Sequence, residues 1–157
     1  MTSVEAVLVL GLGNRLLGDD AAGPLAVDLL AAAARDADTR FIDGGTIGLA
    51  LLPEIEDAAA FIAVDAALFG ATPGTVRVFE GEAMDAQLGG RKRSAHEVAL
   101  FDLMASAELS GRLPARRALV AVEPKSTELG LEPSAAVAAA IPRLCAAVDE
   151  LLDRWTR

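Results

Sequence analysis

The 157-residue sequence has one cysteine, no tyrosine and only 4% aromatic residues. A single cysteine excludes a disulfide within the chain, which fits a reducing compartment. No apolar run reaches the roughly 18 residues that a membrane-spanning helix needs. The first ten residues, MTSVEAVLVL, contain no basic residue of the kind that opens a signal peptide. We therefore expect a cytoplasmic protein with no membrane partner.

Basic residues are the minority charge: 14 Lys and Arg stand against 23 Asp and Glu, giving a net charge of −9. This balance argues against a nucleic-acid partner, because binding to a phosphate backbone depends on Lys and Arg. Apolar residues make up 53% of the chain, which is enough at this length for a buried core. The composition predicts a single domain over residues 1–157.

Short apolar runs alternate with longer Ala- and Leu-rich stretches along the chain. The runs predict strands at 6–10, 40–43, 61–65, 75–79 and 118–122, the fourth of them more exposed. The longer stretches predict helices at 22–35, 47–55, 94–106 and 133–155, the last interrupted near Pro142. This alternation predicts an α/β fold, a three-layer α/β/α sandwich with a mostly parallel five-stranded sheet and one antiparallel strand.

A glycine-rich segment, GLGNRLLGDD at 11–20, follows the first predicted strand. Its spacing is not that of a dinucleotide-binding fingerprint, because Leu16 stands where the third glycine would be. Asp19 and Asp20 would also repel a pyrophosphate at the start of the next helix. The acidic pair suits a cation or a proton transfer, or else one aspartate only caps the helix. The sequence leaves both interpretations open.

Carboxylates also close the second and third predicted strands, at Asp43 and Asp65. Ligands of open α/β sheets bind outside the carboxyl ends of the strands, so we expect several carboxylates to meet at one edge. Aspartates in these positions could equally be stabilising turns.

His96 is the only histidine and lies in the sequence SAHE. Ser94 and Glu97 match a capping box, which predicts that His96 lies in the first turn of a helix. The helix dipole disfavours the imidazolium there and leaves a lone pair for a metal or a proton. A surface or packing role remains the alternative. Beside the carboxylates, the imidazole would complete a donor set suited to Zn, Ni or Mn.

The order and spacing of these motifs resemble those of the hydrogenase maturation endopeptidases, which trim the large subunit of nickel-iron hydrogenases. The resemblance runs from about Val7 to Leu152. It rests on GLGNRLLGDD with the Gly-Pro pair at 23–24, DGGT at 43–46, VDA at 64–66, SAHE at 94–97, VEPK at 122–125 and ELGLEPS at 128–134.

The resemblance implies an endopeptidase that removes the C-terminal extension of a [NiFe] hydrogenase large-subunit precursor already loaded with nickel. It implies that Asp20, Asp65 and His96 contact the metal, and that Asp43 is associated with function without being a core ligand. The nickel would belong to the substrate and no catalytic metal would be permanently bound, although Zn or Cd would substitute in vitro. Water activation is left open between Asp43, one of the three ligands, and the nickel itself.

One departure from the family pattern is Asp20, which stands where many members have glutamate and so implies a shorter reach. Another is Ala21, where glycine is frequent. Three alternatives remain: a non-catalytic adaptor that recognises nickel-loaded partners, a nucleotide- or flavin-binding module, and a protein whose acids serve only as caps. The broken glycine spacing argues against the second of these.

Overall fold

Five strands form the central sheet of the computed structural model, which describes residues 6–33, 38–45, 49–91 and 94–156. They are β1 (Val7–Leu12), β2 (Thr39–Gly45), β3 (Ala60–Ala66), β4 (Val76–Glu80) and β5 (Arg116–Val122). Their order across the sheet is β2-β1-β3-β5-β4. Of the described strands only β4 runs antiparallel, against β5. The predicted sheet, with one antiparallel strand, is confirmed.

Helices cover both faces of this sheet. One face carries α1 (Ala22–Ala32) and α5 (Ala135–Thr156), and the other carries α2 (Leu52–Asp57), α3 (Glu82–Leu88) and α4 (Ala95–Leu109). Successive residues of a strand face opposite sides, so the odd residues of β1 pack with the first helix layer and the even residues with the second. A strand that is apolar on both sides therefore forms the middle of three layers, as predicted.

The last helix differs from the prediction, because α5 continues through Pro142 without interruption. A proline inside a helix costs about 3 kcal/mol through a lost hydrogen bond and a clash. Val137, Leu144 and Val148 of the same helix are fully buried in the core. Burial of each such side chain contributes roughly 1.5–3 kcal/mol, so packing outweighs the local cost.

Two other helices also differ in detail. The helix predicted from residue 47 begins at Leu52, after a 3₁₀ turn at Leu49–Leu51, and residues 46–48 lie outside the described part of the chain. The helix α3 was not predicted at all. The sequence pattern of this helix is weak, because only Met84 and Leu88, four positions apart, are buried.

The topology creates a crevice at the carboxyl edge of the sheet. β1 and β3 are neighbours, with Gly11 opposite Val64. From β1 the chain passes to β2 on one side, whereas from β3 it continues towards β5 and β4 on the other. Ligands of open α/β sheets bind at such a reversal of strand order. None of the helices in the described ranges has the length and apolar character needed to cross a membrane.

Candidate functional site

The turn after β1 depends on close backbone approaches that only glycine allows. A Cβ on Gly13, whose φ is 132°, would lie 1.9 Å from the carbonyl oxygen of Asp20. A Cβ on Gly23 would lie 2.3 Å from the carbonyl oxygen of Val64. These contacts fold the segment back on itself through a 3₁₀ turn at Gly18–Ala21, and they bury both aspartates of the acidic pair.

Asp19 joins two distant parts of the chain and does not cap a helix. Its carboxylate accepts hydrogen bonds from the backbone N–H groups of Lys125 (2.7 Å), Ser126 (3.0 Å) and Ser134 (2.5 Å), and from the Ser134 hydroxyl (2.9 Å). Neither the 3₁₀ turn nor α1 has a side-chain bond at its N-cap. Burial raises the pKa of Asp19, but these donors outweigh burial and hold the pKa below its usual value.

Asp20 contacts α4 instead. Its Oδ2 accepts a hydrogen bond from the backbone N–H of Asn14 (2.8 Å), and its Oδ1 lies 2.9 Å from Nε2 of His96. Asp65, near the end of β3, is at the other nitrogen of the ring, with 3.5 Å between its Oδ1 and Nδ1 of His96. The imidazole therefore lies between two carboxylates, one from the 3₁₀ turn after β1 and one from β3.

The start of α4 positions His96. The Oγ of Ser94 accepts a hydrogen bond from the backbone N–H of Glu97 (3.3 Å), and the helix begins at Ala95. The predicted capped start, with His96 in the first turn, is confirmed. The His96 side chain is only 11% exposed, which rules out the alternative of a solvated surface histidine.

The structure brings together Asp20, Asp65 and His96, three of the four predicted site residues. One ligand atom from each lies within 4.8 Å of the others. Ligands of one ion, each at about 2 Å, are roughly 3 Å apart, so small movements would let the three share a metal. Both oxygens of Asp65 and Nδ1 of His96 are buried without a hydrogen-bond partner among the described residues. Buried polar atoms normally have partners, so this donor set fits a cation supplied from outside.

A further buried carboxyl, Glu97, adds negative charge to this cluster. Burial, then the charges of Glu97 and Asp20, raise the pKa of Asp65 well above its usual value. Burial also raises the pKa of Glu97, whose Oε2 lacks a partner in the described ranges. The sequence indicated Glu97 only as part of a capping box. A divalent cation at the cluster would relieve the repulsion among these carboxyls.

Asp43, the fourth predicted site residue, is not a member of the cluster. Its side chain is 38% exposed and pairs with Arg15 (2.8 Å), which also pairs with Asp28 (2.7 Å). Asp43 also accepts a hydrogen bond from the backbone N–H of Gly45 (2.9 Å), a residue that lines the cavity described below. These contacts place Asp43 within β2, where it fixes the end of the strand at Gly45.

Glu123 is a buried residue that the sequence reasoning did not assign to the site. Its Oε1 accepts hydrogen bonds from the backbone N–H groups of Phe69 (3.1 Å) and Ala71 (2.7 Å), and so holds the loop after β3. Its position in the sequence could have indicated a role at the site. Glu123 directly follows the predicted strand 118–122, just as Asp65 ends the predicted strand 61–65.

A cavity of about 720 Å³ opens at the cluster. The glycine turn, the loop after β3, the first turn of α4 and the segment after β5 form its wall. Residues that line it include Asn14, Leu17, Asp20, Leu68, Ala95, His96, Lys125 and Thr127. A cavity of this size is within the range that binds ligands in proteins.

Comparison with protein families finds a match to the family described as hydrogenase maturation protease, over residues 24–151. The hydrogenase expression/formation protein HupD of Rhodobacter capsulatus is 42% identical over 125 residues, which cover 79% of this chain and 60% of that protein. The chain therefore spans about 60% of the length of that relative.

Other known proteins match over nearly their whole length. The hydrogenase 2 maturation protease of Escherichia coli K12 is 34% identical over 150 residues, which cover 92% of this chain and 91% of that protein. Among solved structures, the hydrogenase maturating endopeptidase HybD from E. coli superimposes with a TM-score of 0.89 at 30% identity, covering 95% of this chain and 93% of that one.

Proposed function

The chain belongs to the hydrogenase maturation protease family, and on that basis we propose that it is an endopeptidase acting in hydrogenase maturation. Its substrate is a [NiFe] hydrogenase large-subunit precursor that carries nickel, and the reaction removes the C-terminal extension. The observation that carries this proposal is the convergence of Asp20, Asp65 and His96 at an open cavity.

In this proposal the nickel arrives with the substrate and serves as the recognition element. Two carboxylates and one imidazole form a mixed oxygen and nitrogen donor set, which suits a first-row transition metal better than it suits calcium. By completing the coordination of the bound nickel, these groups fix the precursor so that its scissile bond is aligned in the cavity. Zn or Cd would occupy the same donors in vitro.

Rigid elements hold each donor in place, as a preorganised site requires. Asp20 is oriented by the backbone N–H of Asn14, Asp65 is part of the buried strand β3, and His96 belongs to the capped turn of α4. Asp43 is engaged by Arg15, and we assign it to positioning the end of β2 at Gly45. Water activation then falls to a group of the cluster or to the nickel.

Intact-mass measurement of the nickel-loaded precursor, before and after incubation with the protein, tests this function. We expect the wild type to remove the mass of the extension. His96→Ala should lower the processing rate by about 100-fold or more, because the nickel loses a donor and its alignment. The fold should persist with a loss of about 1–3 kcal/mol, because the ring belongs to neither core cluster but its removal leaves Oδ1 of the buried Asp20 without its partner.

Glu108→Gln, an exposed change on the same helix, is the matched control and should process normally. Normal processing by a folded His96→Ala variant would remove His96 from the site. Binding of the precursor with no loss of mass would identify the non-catalytic adaptor instead.

A further inference from the structure

Exposed leucines are concentrated near the mouth of the cavity. Seven large apolar side chains are exposed in the described part of the chain. Leu68 is one of them and lines the cavity itself. Three more are Leu16, Leu129 and Leu131, which are 53%, 84% and 79% exposed. Side chains exposed to this extent are unremarkable when single, but their concentration at one place indicates a binding surface.

Backbone pairing joins the last three leucines into one surface. Gly130 donates a hydrogen bond to the carbonyl oxygen of Leu16 (2.8 Å) and accepts one from the backbone N–H of Gly18 (2.9 Å). Gly130 lies opposite Leu17 in this parallel bridge. Leu129 and Leu131 flank Gly130 in the chain, and Leu16 directly precedes Leu17, so the bridge brings the three exposed leucines next to one another.

This surface is held in place by the buried carboxylate of Asp19. Its hydrogen bonds to Lys125, Ser126 and Ser134 fix both ends of the segment that presents the leucines. A surface that is already ordered loses less entropy on binding than a mobile loop does. The exposure of these leucines is therefore a property of the folded backbone.

Acidic residues border the same surface. Glu128 and Glu132 flank the leucines in the sequence ELGLE, and both are exposed. Neither side chain forms an ion pair with any residue that the structure describes. A complementary partner would have an apolar centre with basic side chains around it.

We propose that Leu16, Leu129 and Leu131 form a docking surface for the folded body of the large-subunit precursor. This inference rests on the proposed function and adds an interface outside the cavity. The surface is continuous with the cavity wall through Leu17 and Thr127, so a folded substrate whose nickel reaches the cluster also covers the leucines. The extension alone would fill the cavity without needing this surface.

The test compares a double variant, Leu129→Ser with Leu131→Ser, with the control Leu109→Ser. Leu109 is 90% exposed at the end of α4 and belongs to neither the cavity nor the docking surface. We expect the Kd for the nickel-loaded precursor to rise at least tenfold in the double variant, which is about 1.4 kcal/mol. KM should rise similarly while kcat stays within about twofold, because the cluster is intact. Leu109→Ser should change neither.

A second pair of changes, Glu128→Gln with Glu132→Gln, tests the partner's basic border. We expect slower association with the precursor and a weaker dependence on salt. Unchanged association would overturn the charge complementarity. Thermal melting establishes that every variant is folded.

The outcomes separate this inference from the proposed function. An unchanged Kd in the leucine double variant, or an equal loss in Leu109→Ser, would overturn the docking surface. Loss of self-association with normal precursor binding would do the same, in favour of contact between two copies of this chain. Failure of the wild type to shorten a precursor that it binds would overturn the endopeptidase and leave the docking surface supported.

Discussion

Asp65 lies in surroundings that lower the stability of the folded protein. Its carboxyl is fully buried, and its pKa is raised well above the usual 3.8, first by burial and then by the charges of Glu97 and Asp20. A carboxyl whose pKa rises on folding reduces stability as the pH increases from its unfolded value through its folded value. At neutral pH the free protein therefore carries an unfavourable contribution from this side chain.

Asp65→Asn should consequently make the protein more stable at pH 7 while severely lowering processing. The amide keeps the shape of the side chain, removes an ionisable group and offers an N–H donor to Glu97. We expect a gain of about 1 kcal/mol, which is roughly 2–4 °C in Tm for a chain of this size. Thermal melting between pH 4 and pH 8 measures it, and the gain should grow with pH. A variant that is less stable than wild type throughout this range would contradict the electrostatic account.

The adjacent residues Asp19 and Asp20 show why the site could be predicted only in part. Both are acids in a glycine-rich turn, and nothing local distinguishes them. Asp19 contacts a segment more than a hundred positions later, whereas Asp20 contacts His96. Each role depends on partners that only the tertiary fold brings near, so residue type alone indicated an acidic site, and only the family resemblance singled out Asp20 from Asp19.

At the scale of elements, the junction of β1 and α1 depends on one glycine. A Cβ on Gly23 would meet two backbone oxygens, of Leu12 and Val64, at 2.3 Å each. Backbone cannot move aside as a flexible side chain can, so Gly23→Ala should displace the start of α1 from the sheet. We expect a loss of about 2–3 kcal/mol in the free energy of unfolding, measured with urea.

Gly130→Ala is the control for this change, since its Cβ would meet nothing closer than 3.9 Å and the glycine has no left-handed φ. Its stability should stay within about 0.5 kcal/mol of wild type. Equal stability of the two alanine variants would mean that the turn relaxes without cost.

The elements differed in how clearly their sequences indicated them. β1 and β3 were predicted because continuous apolar runs of this length suit strands buried on both faces. The seven residues of α3 are too few to show a helical pattern of apolar residues. Pro142 led to the wrong prediction of a break in α5, because burial of this helix in the core outweighs the cost of a proline inside it. Strand order depends on contacts between distant segments and cannot be derived from individual residues. That the site residues meet at the carboxyl edge of the sheet was therefore expected only from the general behaviour of open α/β sheets.

At the scale of the whole molecule, Asp19 makes the free energy of unfolding depend on pH. A carboxyl whose pKa is lowered on folding contributes stability above its unfolded pKa, here 3.8, and loses that contribution as the pH falls through the folded pKa. Asp19→Asn should destabilise the protein by about 1–3 kcal/mol at pH 7, because the amide cannot accept all four hydrogen bonds.

The difference between wild type and Asp19→Asn should shrink as the pH falls below about 4. Urea unfolding at pH 7, 5 and 3 checks it, with the exposed change Asp102→Asn as control. A difference that is constant with pH would show that shape, and not charge, accounts for the effect.

The hydrogen bonds of Asp19 also bear on when the molecule can become active during its synthesis. The turn that carries Asp19 is made before its partners, which follow 106 to 115 positions later in the chain. A growing chain can collapse around its first strands, yet the Asp19 carboxylate does not have all of its donors until Ser134 has been made. The wall of the cavity is thus completed only after residue 134, and a chain that stops before that point would have the glycine turn without a working site.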